Sequence, residues 1–302
     1  MKDQNNISTM EITSVIGCKI RCTYCPQEKL MRTYAKRSNI YKMTLDTFKS
    51  CLDKIPLNVH IHFSGMAEPW LNPECTKMLL YAHQQGYEVS VYTTTVGMLT
   101  SDFKNIESIP FRHFNVHLAD KEGYSKIEID DNYLETVDAI LKSNIQNREY
   151  MTMGKLHPKV QQLIKKRISR TRMLSRAGNL EGKAYPPIPP RSKGPIRCRS
   201  AGNLFNHNVL LPNGDVLICC MDYGMQHILG NLMSSNYSSV FNGKEFYELQ
   251  KGLDDDSLDI LCRYCENASP LDEYNLPEKN DLGSKIKKYI HKFVHRMAML
   301  LM

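Results

Sequence analysis

Apolar positions along the first half of the chain switch between two periods. Period-2 alternation marks strands at Met10–Gly17, Asn58–Ser64, Tyr87–Thr94 and His113–Leu118. Helical periodicity marks Leu45–Ile55, Pro73–Gln85, Ser101–Ile106 and Asn132–Asn144 between and after them. Thr44 suits the N-cap of the first of these, Asp46 its first turn, and Gly86 the C-terminal cap of the second. A fifth strand is predicted over Arg148–Lys155, a helix over Pro158–Arg167, and a further strand before Gly178. Repeated strand–helix units of this kind build parallel sheets or barrels.

The strand faces say more. Val59, Ile61 and Phe63 oppose His60, His62 and Ser64; Val89 and Val91 oppose Ser90, Tyr92 and Thr94; Phe114, Val116 and Leu118 oppose Asn115 and His117. Parallel strands buried on both faces read as continuously apolar. One polar face on each predicts helices outside and a wet, ligand-bearing cavity inside, the competing reading being an antiparallel sheet with a solvated face. Tyr185–Pro195 carries five prolines in eleven residues and reads as a stiff linker. Beyond it, Asn208–Leu211 and Val216–Cys219 flank Pro212-Asn213-Gly214, a hairpin signal.

With 302 residues, 42% hydrophobic and 24% charged, the chain is neither disordered nor fibrous. It has no apolar run long enough to span a bilayer and opens on the polar stretch MKDQNNISTMEI, so a cytosolic protein is expected. The net charge of +7 is uneven: Lys155–Arg199 has a local balance of +12 and Gly283–Met302 of +5, on an otherwise acidic body. Such a band points to anionic partners or to a solvated face. The ten cysteines group early (Cys18, Cys22, Cys25) and late (Cys198, Cys219, Cys220, Cys262, Cys265), which in a reducing compartment suggests two metal sites.

The early group is C-x3-C-x2-C. Three thiolates within eight residues can wrap one cuboidal iron–sulfur cluster and leave one iron open to a substrate. Zinc is the competing occupant, although zinc modules usually supply four local ligands.

This motif, following a first strand and with Tyr24 just before its third cysteine, resembles the radical S-adenosylmethionine superfamily. Ser64-Gly65-Met66-Ala67-Glu68-Pro69, at the end of the second strand, resembles that superfamily's Gly-Gly-Glu motif, with Ser64 in place of the first glycine and Ala67 outside the common pattern. The resemblance implies that the Ser64, Gly65, Met66 and Ala67 backbone and the Glu68 acid hold the methionine amino group. Thr94, within Tyr92-Thr93-Thr94-Thr95, and His117 fall where relatives contact S-adenosylmethionine from later strands, His117 at a site that is often Ser. It further implies a 4Fe-4S cluster on Cys18, Cys22 and Cys25 whose open iron chelates S-adenosylmethionine. An electron, from a donor such as flavodoxin or ferredoxin, then yields a 5′-deoxyadenosyl radical that abstracts a substrate hydrogen. Orientation and exclusion of side reactions would be the protein's task.

The late group reads C-x15-G-x4-C from Cys198 through Gly214 to Cys219, then C-x2-C at Cys262 and Cys265. It resembles the SPASM/Twitch extensions that bind auxiliary clusters. Four cysteines favour the shorter Twitch form with one auxiliary 4Fe-4S cluster, on Cys198, Cys219, Cys262 and Cys265. Cys220 is the alternative to Cys219, and a four-thiolate zinc site is the competing reading.

The implied fold is α/β: a partial (β/α)6 TIM-like barrel over 8–182, the linker over 183–195, a β-hairpin/helix auxiliary domain over 196–275 and a basic amphipathic tail over 283–302. The implied activity is that of a radical S-adenosylmethionine oxidoreductase, resembling Twitch dehydrogenases that oxidise a sugar or cyclitol alcohol, the auxiliary cluster accepting an electron. Arg176, within Ser175-Arg176-Ala177-Gly178-Asn179, and Arg172 would meet an anionic group of a small substrate. Peptide modification or sulfatase maturation is the runner-up, and an epimerase would need a hydrogen donor such as Cys220. A non-catalytic electron-transfer or zinc-structured binding protein is the reading of a different class. No recognisable RNA-binding module accompanies the basic band, and no nucleic-acid partner is expected. The tail Ser284–Met302 interleaves Ile, Phe, Leu and Met with Lys and Arg at helical spacing, which suits the cytoplasmic membrane face or docking on the protein's own barrel or on a twin subunit.

Overall fold

In a computed structural model, which describes residues 8–164, 168–180, 187–201 and 204–274, the predicted strand–helix alternation closes into a parallel sheet. Its strands are β1 (Thr9–Ile12), β2 (His60–Phe63), β3 (Val89–Thr93), β4 (Phe114–His117), β5 (Arg148–Thr152) and β6 (Ser169–Arg170), each parallel to the next. Helices α1 (Gln27–Tyr34) and α2 (Leu45–Leu52) connect the first pair. Then α3 (Cys75–Gln84), α4 (Thr100–Ile106), α5 (Asp131–Lys142) and α6 (Pro158–Leu163) each follow one strand. This is the expected partial α/β barrel.

Local chemistry sets the helix ends. Thr44 accepts the Thr47 amide at 3.1 Å to start α2. Asp130 accepts the Tyr133 amide at 2.7 Å to start α5, one residue earlier than predicted. Gly86, at φ +89°, closes the turn after α3. The predicted Leu45–Ile55 helix stops at Leu52 because Lys54 and Ile55 turn back on Cys51 and Leu52 ahead of Pro56. Ile61, Phe63, Val89, Val91, Phe114 and Val116 pack beneath the helices against Phe48, Leu79, Phe103 and Val137, all buried.

The C-terminal region contributes β7 (Ile196–Cys198), β8 (His207–Leu210), β9 (Asp215–Leu217), β10 (Ile228–Asn231), α7 (Lys244–Asp254), β11 (Ala268–Pro270) and α8 (Leu271–Tyr274). The predicted hairpin is β8–β9, turning at Gly214 with φ +86°, where an added Cβ would lie 2.6 Å from Met233 Cγ. Its first strand pairs in parallel with β1, Glu11 opposite Val209, so the barrel sheet runs on into this region in the order β10-β9-β8-β1-β2-β3-β4-β5-β6. The described part of the proline-rich segment lies against the same region: Ser192 N–H donates to Arg263 O at 2.7 Å and Gly194 N–H to Asp256 at 2.8 Å.

Three arginines of the basic band, which was expected to meet anionic partners or to form a solvated face, pair internally. Arg197 bonds Asp254 at 2.7 Å, Arg191 lies 3.6 Å from Asp259, and Arg199 lies 4.0 Å from Glu273. The tail 283–302 lies outside the described residues. Among the described residues no helix is long and apolar enough to cross a membrane.

Candidate active site

The polar strand faces meet in a cavity of about 340 Å³ at the C-terminal ends of β1 to β6. Cys18, Cys22 and Cys25, on the loop between β1 and α1, line one wall. Burial pushes the Cys18 thiol up to about 11 and the Cys22 thiol up to about 12, and the neighbouring thiols add to both. Three crowded thiols that form no disulfide are a donor set for a metal cluster. Gln27, which sequence reasoning missed, braces this loop. Its side-chain oxygen accepts the Cys18 amide at 3.1 Å, while its side-chain nitrogen donates to Met66 O and, at 3.5 Å, to Cys25 Sγ.

Opposite the loop, the chain leaves β2 through Ser64-Gly65-Met66-Ala67-Glu68, and all five residues line the cavity. Gly65 has φ +74°, and an added Cβ would collide with Thr13 Oγ1. Thr13 Oγ1 also accepts the Met66 amide at 3.0 Å, fixing the turn. The buried Glu68 carboxylate accepts the Thr93 hydroxyl and both the amide and hydroxyl of Thr94, each at 2.6 Å. Burial raises its pKa although these bonds oppose the shift.

Tyr24 stacks on His117, ring centroids 6.0 Å apart, and its hydroxyl lies 3.5 Å from Nε2. Tyr92 Oη approaches His117 Nδ1 at 3.0 Å. Burial lowers His117 to about 4, so the ring is neutral near pH 7 and one of its nitrogens accepts. The histidines of β2 divide. His60 bonds Ser90 Oγ at 2.9 Å and is a satisfied core residue, whereas His62 faces the cavity with its buried Nε2 unpartnered.

Cys198, Cys219, Cys262 and Cys265 line a second cavity of about 140 Å³. Among the described residues, no three His, Cys, Asp or Glu side chains converge closely enough to grip a single ion. Four thiols around a void of that size suit a cluster. Cys219 faces Cys262 and Cys265, while Cys220 bonds Glu11 and faces Arg176. Glu11 and Cys220 line both cavities and form the wall between them. Sequence reasoning also missed the supports of this site. Arg263, fully buried within the C-x2-C, donates to Gly194 O at 2.5 Å, Gly252 O at 2.6 Å and Ser192 O at 3.3 Å. His227 Nε2 accepts the Leu261 amide at 3.0 Å, so its Nδ1 carries the hydrogen donated to Glu245 at 2.6 Å.

Arg176 lines the first cavity beside Tyr92, Tyr223, Cys25 and Cys220. Among the described residues no carboxylate comes within ion-pair distance of it. Arg172 reaches the same cavity from an exposed position. The Glu266 carboxylate bonds the amides of Ser175 and Ala177; burial alone would raise its pKa, but these bonds prevail and lower it.

Every residue singled out from the sequence for the first cluster and for S-adenosylmethionine lines the larger cavity, and the four auxiliary cysteines line the smaller. Residues 198–266 match SPASM, an iron–sulfur cluster-binding domain. No curated protein matches the sequence significantly. BtrN in complex with AdoMet and 2-DOIA superposes with a TM-score of 0.59 at 15% identity, over 88% of this chain and 94% of that one. Streptococcus suis SuiB bound to precursor peptide SuiA gives 0.57 at 12% identity, over 86% and 70%. Native anSMEcpe with bound AdoMet gives 0.52 at 13% identity, over 85% and 86%. At such identities these structures establish the shared fold.

Partial barrel, three-thiol loop and adjoining thiol cavity make up a fold shared with solved structures that hold AdoMet. The four thiols of the adjoining cavity all fall within the SPASM-matching residues 198–266. The residues present fit an iron–sulfur cluster at each thiol group and S-adenosylmethionine in the larger cavity. Three thiols open onto a cavity that also presents an acid, a backbone turn and an unpartnered imidazole nitrogen; four thiols line an adjoining cavity that shares Glu11 and Cys220 with the first.

Proposed function

We propose that the protein is a radical S-adenosylmethionine oxidoreductase acting as a dehydrogenase on a small, anionic or sugar-like molecule. The observation that carries this reading is the shared wall, Glu11 and Cys220, between a cavity lined by three thiols and one lined by four. S-adenosylmethionine on a three-thiolate cluster supplies hydrogen-atom abstraction when bound. The chain's own residues would hold, orient and exclude. Glu68 and the Gly65–Met66 turn suit an ammonium group, and the Tyr24–His117–Tyr92 cluster bounds the cavity on the β3–β4 side. Arg176, which makes no carboxylate ion pair among the described residues although its charge is felt by Glu11, suits an anionic substrate group, and His62 Nε2 suits a hydroxyl. An iron–sulfur group held by Cys198, Cys219, Cys262 and Cys265 would lie across Glu11 and Cys220 from the substrate, suited to take up an electron. The cavity volume fits a small molecule, and BtrN, which holds AdoMet and 2-DOIA, superposes over nearly its full length.

One feature favours a second reading. Cys220 faces the substrate cavity, where a thiol could return hydrogen and give epimerisation in place of oxidation. The test is anaerobic reconstitution with dithionite and S-adenosylmethionine, fractionated metabolite extracts, and mass spectrometry in deuterated solvent. A product two hydrogens lighter than its substrate, formed with 5′-deoxyadenosine, supports dehydrogenation. Uptake of solvent deuterium without loss of mass supports epimerisation, and turnover of peptides alone overturns both.

A further inference from the structure

Two of the three chain segments that carry thiols of the smaller cavity also grip the turn bearing Arg176. Glu266, next to Cys265, accepts the backbone amides of Ser175 and, at 3.2 Å, Ala177. Met221 O, two residues after Cys219, accepts Asn179 Nδ2 at 2.8 Å, and the same amide group donates to Arg176 O at 2.9 Å. The gripped turn is strained: Arg176, Ala177 and Gly178 have φ of +56°, +52° and +76°. Two consecutive residues with side chains hold a left-handed backbone only where their surroundings impose it.

A carboxylate at position 266 is otherwise out of place. Beside four thiols, each of which must lose a proton to bind metal, a further negative charge is adverse. Among the described residues no Lys or Arg pairs with Glu266. Its charge is directed instead at two amides of the Arg176 turn, where charge-assisted hydrogen bonds are strongest.

We propose that Glu266 is a positioning residue that ties occupancy of the four-thiol cavity to the placement of Arg176. With Cys262 and Cys265 held by one bound group, the 262–266 loop is fixed and Glu266 sits where the Ser175 and Ala177 amides converge. The strained turn then keeps the guanidinium against Tyr92 and Tyr223. With that group lost the loop relaxes, the amides lose their acceptor, and Arg176 leaves the cavity wall. The functional consequence rests on Arg176 being the substrate's anion contact; the mechanical link does not.

Hydrogen exchange followed by mass spectrometry on the full chain, purified anaerobically with its clusters and without substrate, tests the link. The readout is the peptide covering 173–180, with peptides from β2 to β4 as internal reference. In Glu266→Ala this peptide is expected to exchange about tenfold faster or more, since two bonds to a charged acceptor are lost. Glu266→Gln, whose amide oxygen still accepts, is expected to fall between it and the unaltered protein. Cys262→Ser/Cys265→Ser is expected to match Glu266→Ala although Glu266 is intact. Unchanged exchange in the cysteine variant would overturn the link between the sites, and unchanged exchange in Glu266→Ala would overturn the clamp. Should Glu266→Ala not fold, the Gln and cysteine variants decide the matter alone. With no substrate added, the result is separate from whether the cavity oxidises an alcohol.

Discussion

Cys18, Cys22 and Cys25 come from eight consecutive residues, whereas Cys198, Cys219, Cys262 and Cys265 are gathered from three separate segments. The first group needs little beyond its own loop, a Gln27 brace and the turn after β2. The second depends on β7, the β8–β9 hairpin and the turn at Leu261–Tyr264 meeting correctly, and so on Arg263 and His227. The local site opens onto a cavity roomy enough for reactants, while the gathered site is smaller and set behind a wall. The larger cavity goes with local assembly here, and the smaller with dependence on the whole C-terminal region.

Three substitutions would break or sharpen that contrast. The largest effect is expected from Arg263→Leu, which leaves the carbonyls of Ser192, Gly194 and Gly252 without their donor. It should lower stability by about 3 kcal/mol or more and lose iron from the four-thiol site, with iron at Cys18, Cys22 and Cys25 retained. Denaturant melts with iron analysis measure both, and equal iron loss from both sites would contradict the separation.

A smaller effect is expected on the other side from Gly65→Ala, which forces a methyl toward Thr13 at positive φ. It should cost about 2 kcal/mol and weaken S-adenosylmethionine binding, measured by calorimetry, while four-thiol iron stays constant.

The smallest effect belongs to His60, whose pKa burial lowers from 6.5 to about 4. The unfolded chain then binds more protons between those values, so stability falls as pH drops from 6.5 toward 4. At pH 5.5 the loss is about 1.4 kcal/mol from this residue. Glu11 and Glu68, whose pKa values burial raises, act in the opposite sense. Comparing His60→Gln with the unaltered protein cancels them: the variant's melting temperature should fall less between pH 7 and 5.5.

The same contrast governs what could be read from the chain. The C-x3-C-x2-C loop, the Glu68 turn and the polar strand faces are local patterns, and the loop, the turn and the far ends of those faces (His62, Ser64, Tyr92, Thr94, His117) converge on one cavity in the structure. The four-thiol set came from the resemblance of its cysteine pattern to SPASM/Twitch extensions, and the hairpin with Asn-Gly at its turn that explains the spacing is itself a local signal. What escaped depends on distant partners. Nothing in QEKLMRTY announces that α1 follows the thiol loop directly, or that Gln27 spans to Met66. Arg263 looks like any surface arginine until α7 and the 192–194 stretch close over it. The parallel pairing of β8 with β1, which carries the barrel sheet across the proline-rich segment, is a register between strands far apart in sequence. The internal ion pairs of the basic band escaped for a similar reason, since Asp254, Asp259 and Glu273 lie far along the chain from the arginines they pair with.

Iron counting combined with 5′-deoxyadenosine release, after removing each thiol group in turn, probes the division of labour most directly. With Cys198, Cys219, Cys262 and Cys265 all changed to Ala, about four irons should remain and dithionite should still drive cleavage of S-adenosylmethionine. With Cys18, Cys22 and Cys25 changed to Ala, about four irons should again remain and cleavage should cease. Cleavage that survives loss of the N-terminal trio, or stops with loss of the C-terminal four while the trio keeps its iron, would contradict the account.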